Sequence, residues 1–226
     1  VSHPVNRRTY DSAGRRARSA ETRARVLVAA GELFVSNGYG ATTVADIAAR
    51  SEVHVDTVYR LVGRKAAILR ELIEASLSGT GTTVVAERRD YVESFVAEPD
   101  PTRKLAIYAS AVRQIHSRLA PLFRALTEAA ASEPEAAKIW SATSRRRAAN
   151  MRKLVADLEA AGGLRSGLSP EDAADTVWAT NSPEVYVLMV EERGWSPDAY
   201  EAWLLELWCR YLLPDPPPPT RSDPRS

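Results

Sequence analysis

Apolar residues in the first third of the chain recur at helical spacing and fall into three short blocks. Val26, Leu27, Ala30, Leu33 and Phe34 mark one face of a helix that should end where Asn37, Gly38 and Gly40 tolerate positive φ. Val44, Ile47 and Ala48 stand at i, i+3 and i+4, the face of a second, short helix. Thr43 and Asp46 form a T-x-x-D capping pair in front of it, which predicts a start at Val44. Val55, Val58, Tyr59 and Val62 then repeat at i, i+3, i+4 and i+7. Only Ser51, Glu52, Val53 and His54 separate the two sets, so these helices must cross steeply. Three such helices can close a small core on which the last presents its outer face, the organisation of a helix-turn-helix.

Beyond Arg64 the period stays helical, and no strand pattern competes. Arg64 to Leu77 leads into SGTGTT, and a short piece from Asp90 to Ala97 ends at EPDP. Leu105, Tyr108, Ala109, Val112, Ile115, His116 and Leu119 predict a helix with Asp100 as cap and Pro101 as first residue, and Pro121 is expected to restart another. From about Pro134 to Ala161 a long helix carries Trp140, Met151, Leu154, Val155 and Leu158, closed by Gly162 and Gly163. The last two helices are expected to open at Ser169-Pro170 and Ser196-Pro197, each a capping serine followed by a proline that does not need its amide. The final one carries Tyr200, Trp203, Leu204, Leu207, Trp208, Tyr211 and Leu212, a stripe wide enough to need cover on more than one side. A two-fold partner is the natural cover, with ordinary core as the competing reading. The tail LPDPPPPTRSDPRS cannot continue a helix. The fold class predicted is all-α.

Charge sharpens this division. The net charge is only +1, yet residues 1–70 hold 12 Lys and Arg against 6 Asp and Glu, whereas residues 71–226 hold 18 against 23. Arg7, Arg8, Arg15, Arg16, Arg18, Arg23 and Arg25 make a basic arm suited to a minor groove or a phosphate track. No apolar run reaches the ~20 residues of a membrane span, and none follows the arginines as a signal peptide would require, so a cytoplasmic location is expected. The single Cys209 excludes an intramolecular disulfide. His3, His54 and His116 lie far apart without ligand-spaced neighbours, so no metal site is expected. The chain lacks G-x-S-x-G, H-E-x-x-H and P-loop motifs, and neither glycine pair, Gly38/Gly40 or Gly79/Gly81, follows a strand; no catalytic residues or cofactors are expected. Arg145, Arg146 and Arg147 point in three directions on a helix and read as a solvated face, with binding of an anionic effector as the alternative.

The stretch ARVLVAAGELFVSNGYGATTVADIAARSEVHVDTVYRLVGRKAAILRELIE, Ala24 to Glu74, resembles without a gap the N-terminal domain of the tetracycline-repressor (TetR) family of transcriptional regulators. A helix ending in LF…NGY, a T-x-x-x-I-A helix, a T-x-Y recognition segment and a Lys just past the next turn carry the resemblance. It implies that Thr43, Val55, Thr57, Tyr59 and Lys65 approach DNA, mostly its phosphates, with Arg60 near the groove. His54 and Asp56 complete the candidate DNA set. Three residues depart from the family pattern here: Glu52 replaces a turn glycine, His54 a capping serine and Asp56 a small residue. Leu61 and Val62 also stand where aromatics are commoner. An acid at Asp56 opposes phosphate unless it accepts from a cytosine amino group.

The resemblance further implies a small-molecule pocket in the C-terminal bundle and a dimer seam on the last two helices. Candidate pocket walls are Tyr108, Ile115, Phe123, Leu126, Trp140, Met151 and Trp178, with His116, Asn181 and Gln114 as polar groups. Candidate seam residues are Val185, Leu188, Tyr200, Trp203, Leu204, Leu207, Trp208 and Tyr211. The chain is thus expected to divide into a disordered basic arm (1–19), a helix-turn-helix domain (20–63), a helical ligand-binding and dimerisation domain (64–213) and a Pro-rich disordered tail (214–226). The function expected is a ligand-responsive regulator, a repressor, that binds a palindromic operator as a homodimer and is released by a small apolar organic effector. The rival is a dimeric helical small-molecule binder or interaction protein with a degenerate DNA head.

Overall fold

The structure, a computed structural model, describes residues 12–78 and 90–215, and every described element is helical. Arg7, Arg8, SGTGTT from Gly79 onward and the tail beyond Asp215 lie outside those residues. The fold forms two compact units, Val1–Leu72 and Ile73–Ser226.

The first unit holds α1 (Ser12–Ala41), α2 (Val44–Arg50), α3 (Val55–Leu61) and the start of α4 (Lys65–Ser78). One expectation is corrected at once: residues 12–19 are helical, continuous with the rest of α1, because the Ala- and Arg-rich stretch up to Ala30 contains no proline or mid-helix glycine beyond Gly14. The helix kinks at Gly38, whose φ of 81° needs a residue without Cβ. Val26, Ala30, Phe34, Tyr39, Ile47, Ala48, Val58, Ile68 and Leu69 fill the core. Ile68 and Leu69 explain why the units part inside α4 and not at residue 64: the first turns of this helix are buried in the head. Arg23 pairs with Glu71 and donates to the Leu61 carbonyl at 3.2 Å, pinning the far end of α3.

The second unit holds the end of α4, α5 (Asp90–Ala97), α6 (Pro101–Ser132), α7 (Pro134–Ala160), α8 (Pro170–Thr180), α9 (Pro183–Tyr186, widening into a π-helical turn over Val187–Glu192) and α10 (Pro197–Leu212). The central helix α6 packs against α5, α7, α9 and α10. Two sequence expectations fail here. Pro121 does not restart a helix, because Leu119, Leu122, Phe123 and Leu126 keep one buried face running through it while the carbonyl that loses its donor belongs to exposed Ser117. Helices do begin at Ser169-Pro170 and Ser196-Pro197, as α8 and α10, but they are not the last two: Ser182-Pro183 starts α9 between them, with the Ser182 hydroxyl accepting from Val185 N at 3.3 Å.

Two cations hold helix ends in this unit. Lys104, almost fully buried, donates to the Phe95 carbonyl at 2.6 Å, the Val96 carbonyl at 3.3 Å and Asp157 Oδ2 at 2.6 Å, joining the end of α5 to α6 and α7. Arg165 donates to the Arg210 carbonyl at 2.8 Å and the Leu213 carbonyl at 3.2 Å, and its backbone amide reaches Leu212 O at 2.7 Å, closing α10. Close approach also matters at Gly163, where a Cβ would fall 2.5 Å from Pro101 Cβ.

Candidate functional site

The recognition segment is held from below and open above. Thr43 and Asp46 form the reciprocal cap of α2: Asp46 N donates to Thr43 Oγ1 at 3.1 Å, and Thr43 N donates to Asp46 Oδ2 at 2.8 Å. The hydroxyl and amide of Thr43 hold the Asp46 carboxyl below the usual carboxylate range. His54 takes the capping place of α3, its Nδ1 accepting from Asp56 N at 3.3 Å, so the departure from serine preserves the cap. Val58 is fully buried and anchors α3, whereas His54, Asp56, Tyr59 and Arg60 are exposed and Val55 and Thr57 half-buried. Tyr59, at 49% exposure, is a large apolar surface on a helix of seven residues. Lys65 is half-buried, with Nζ donating to the Tyr39 carbonyl at 2.9 Å and lying 4.0 Å from the Tyr39 ring centroid. It braces the start of α4.

Glu52 occupies the left-handed region at φ 54°, the conformation for which a glycine would serve. Glu52→Gly is expected to stabilise the chain by about 1 kcal/mol, because relief of the Cβ strain outweighs the added freedom of the unfolded chain. A thermal melt of the two proteins checks it; an unchanged or lower midpoint contradicts the strain.

In the second unit a cavity of about 90 Å³ is lined by Tyr108, Ile115, Phe123, Leu126, Trp140 and Met151, together with Ile73 and Leu77 of α4. Trp178 does not line it, and Gln114 is on the surface. The polar end is formed by His116, Asn181 and Arg147. The Asn181 carbonyl accepts from the Tyr108 hydroxyl, and its amide donates to Trp178 O at 3.1 Å and Val177 O at 3.3 Å. Burial, reinforced by the nearby Arg147 guanidinium, pushes His116 down to about 3, so the ring is neutral; its Nδ1 lies 3.4 Å from the Tyr200 hydroxyl. Burial raises Tyr108 as well. A second cavity of about 260 Å³ abuts the first at Tyr91, Tyr108, Asn150 and Met151 and runs along α5.

The arginine triplet is not one solvated face. Arg145 is exposed, Arg146 pairs with Glu74 at 2.6 Å, and Arg147 turns inward, donating to Trp178 O at 3.0 Å with its guanidinium 4.9 Å from the Trp178 ring centroid. The signal was present in the spacing: Arg147 stands seven residues after Trp140 and four before Met151, on their face.

The expected seam also divides. Tyr200, Leu204 and Trp208 are fully buried in their own chain, with Trp208 stacked on Tyr108 at 5.3 Å and donating to Thr180 Oγ1 at 2.8 Å. They are corrected from partner surface to core, since the row of α10 that carries them faces the interior. Trp203, Leu207 and Tyr211 form the neighbouring, outward row, in which Trp203 and Leu207 are half-buried at the edge of the core and Tyr211 is exposed; Leu188 on the π-turn is 50% exposed and Val185 half-buried.

The sequence model for bacterial regulatory proteins of the tetR family matches residues 26–72, the residues that build the capped α2–α3 pair. This head is a tetR-family DNA-binding domain. No curated protein matches the chain. Solved structures extend the likeness of fold beyond the tetR head. The fatty acid degradation regulator FadR from Bacillus halodurans has a TM-score of 0.68 at 17% identity, covering 83% of this chain and 94% of its own. NalD, the secondary repressor of the MexAB-OprM multidrug efflux pump in Pseudomonas aeruginosa, gives 0.65 at 24%, covering 87% and 98%. The MbdR regulator from Azoarcus sp. CIB gives 0.60 at 21%, covering 86% and 99%. Their helical C-terminal regions therefore share an architecture with the second unit here. Among the described residues no helix is long and apolar enough to cross a membrane.

Proposed function

We propose that the chain is a ligand-responsive repressor that binds a palindromic operator as a homodimer in the cytoplasm and is released when a small, mainly apolar organic effector enters the cavity of the second unit. The observation that carries the DNA half is the presentation of α3: Val58 is sunk in the core while Tyr59, Asp56 and Arg60 face outward behind an intact His54 cap. That intact cap weighs against the rival reading of a degenerate head. The repressor sign is taken from NalD, a structural neighbour described as a repressor.

The roles assigned are phosphate contacts by Thr43, Val55, Thr57, Tyr59 and Lys65, with Arg60, Asp56 and His54 at the groove. A mobility-shift titration on DNA from upstream of the protein's own coding region, at two salt concentrations, tests this. Arg60→Ala is expected to weaken specific binding by about 1–3 kcal/mol and relax one position of the site, whereas Tyr59→Ala weakens all sequences alike. Binding that is absent, or indifferent to both substitutions, rules the assignment out.

For the dimer, the outward row of α10 is the surface we assign, together with Leu188. Trp203→Glu with Leu207→Glu is expected to shift the mass measured by light scattering from dimer to monomer, leaving the helical signal intact, because neither side chain belongs to the fully buried row. A species of unchanged mass contradicts this seam. Two recognition helices in a dimer must stand about 34–36 Å apart to meet successive major grooves. We assign α4 as the lever that alters this spacing: Lys65 fixes its start to Tyr39, and Ile73 and Leu77 near its end line the cavity.

A further inference from the structure

We propose that the cavity takes its ligand by an anionic group, a carboxylate or comparable oxyanion, held at Arg147, with the apolar body of the ligand extending toward α5. The inference rests on the reading of this cavity as the effector site and specifies the ligand's chemistry.

Charge pairing in the second unit sets Arg147 apart. Arg113 has Glu201 at 2.5 Å, Arg146 has Glu74 at 2.6 Å and Lys104 has Asp157 at 2.6 Å. Arg147, more enclosed than Arg146, has no carboxylate within ion-pair distance among the described residues; Glu184 acts on it only from further away. Its one hydrogen bond goes to the Trp178 carbonyl, and its Nε is buried without an acceptor. This orphan is a donor, so the missing group is an acceptor. A buried cation is costly unless paired, and a guanidinium is shaped for the two oxygens of a carboxylate.

The other polar groups at this end do not supply a counter-charge, since His116 is neutral and the Asn181 amide is occupied by backbone carbonyls. A cationic ligand would be repelled here. Beyond Tyr108 and Met151 the second cavity continues along Val92, Phe95 and Leu154, offering room for an apolar extension, with Lys153 and Asp157 as the charged residues of its lining. A head-and-tail anion fits this division of polarity.

The test is calorimetric titration of the full chain with decanoate and with decan-1-ol, two probes of equal tail that differ in head charge. In the natural protein decanoate is expected to bind about 10- to 100-fold more tightly than the alcohol, the range of a charge-assisted hydrogen bond. Arg147→Gln should remove that preference while leaving decanol affinity within about threefold, and Arg147→Lys should keep part of it. Equal binding of acid and alcohol, or a preference that survives in Arg147→Gln, overturns the anion inference and leaves the effector cavity standing. Binding of neither probe to protein that melts cooperatively overturns the cavity reading and this inference with it. Should Arg147→Gln fail to fold, the acid-to-alcohol ratio of the natural protein and of Arg147→Lys decides.

Discussion

Lys104→Met is expected to destabilise the chain by about 3 kcal/mol, the lower part of the 3–5 kcal/mol range for breaking a buried ion pair. The lower part applies because Asp157 keeps 29% of its side chain in solvent and can rehydrate, whereas the ammonium is 3% exposed. The loss also reaches α5, whose last carbonyls, Phe95 O and Val96 O, depend on this one side chain. Denaturant titration measures it as a lowered midpoint. Lys104→Met combined with Asp157→Leu should recover much of the loss, because the stranded carboxylate is gone. A single variant as stable as the natural protein would contradict the arrangement. Since Tyr91, Val92, Phe95 and Val96 of α5 wall the second cavity, the single variant should also weaken whatever binds there.

Acid should act through His116. Its proton affinity falls from an ordinary 6.5 to about 3 on folding, chiefly through burial. Above pH 6.5 the ring is neutral folded or unfolded, and it contributes no pH dependence. Below that, the unfolded chain takes up a proton that the folded chain refuses, so stability falls by about 1.4 kcal/mol per pH unit until roughly pH 3. At pH 4.5 the expected loss from this residue is on the order of 2–3 kcal/mol. His116→Gln removes the titrating ring and should flatten the stability profile between pH 6 and 4 relative to the natural protein. Parallel profiles would show that the ring is not the acid-sensitive group.

How much of this could be read from residues alone depends on how local the cause is. The Thr43–Asp46 box, Asp100-Pro101, Ser169-Pro170 and Ser196-Pro197 each act within one helical turn, and each was legible. Ser182-Pro183 carries the same signature and is equally local, yet no helix start was expected there. Pro121 misled in the opposite sense, because a packed face on both sides outweighs one missing amide. His54 as a cap was obscured by its rarity in that role, although the ring nitrogen stands where a serine oxygen would. Long-range causes were hidden: the partners of Lys104, at Phe95, Val96 and Asp157, and the inward turn of Arg147 toward Trp178 join separate helices. For α10 the stripe was visible but its two sides were not, since aromatic and leucine residues fill both rows.

Because those rows alternate on a single helix, α10 separates two selective pressures. Mutations drifting through Tyr200, Leu204, Trp208 and Leu212 strike residues with no exposed surface and should be purged as folding defects. Trp203 and Leu207 are half-buried at the edge of that core and Tyr211 is exposed, so changes there disturb the interior less. On the proposed seam, a duplicated copy of this gene could stop pairing with the original by altering three positions, long before its fold had diverged.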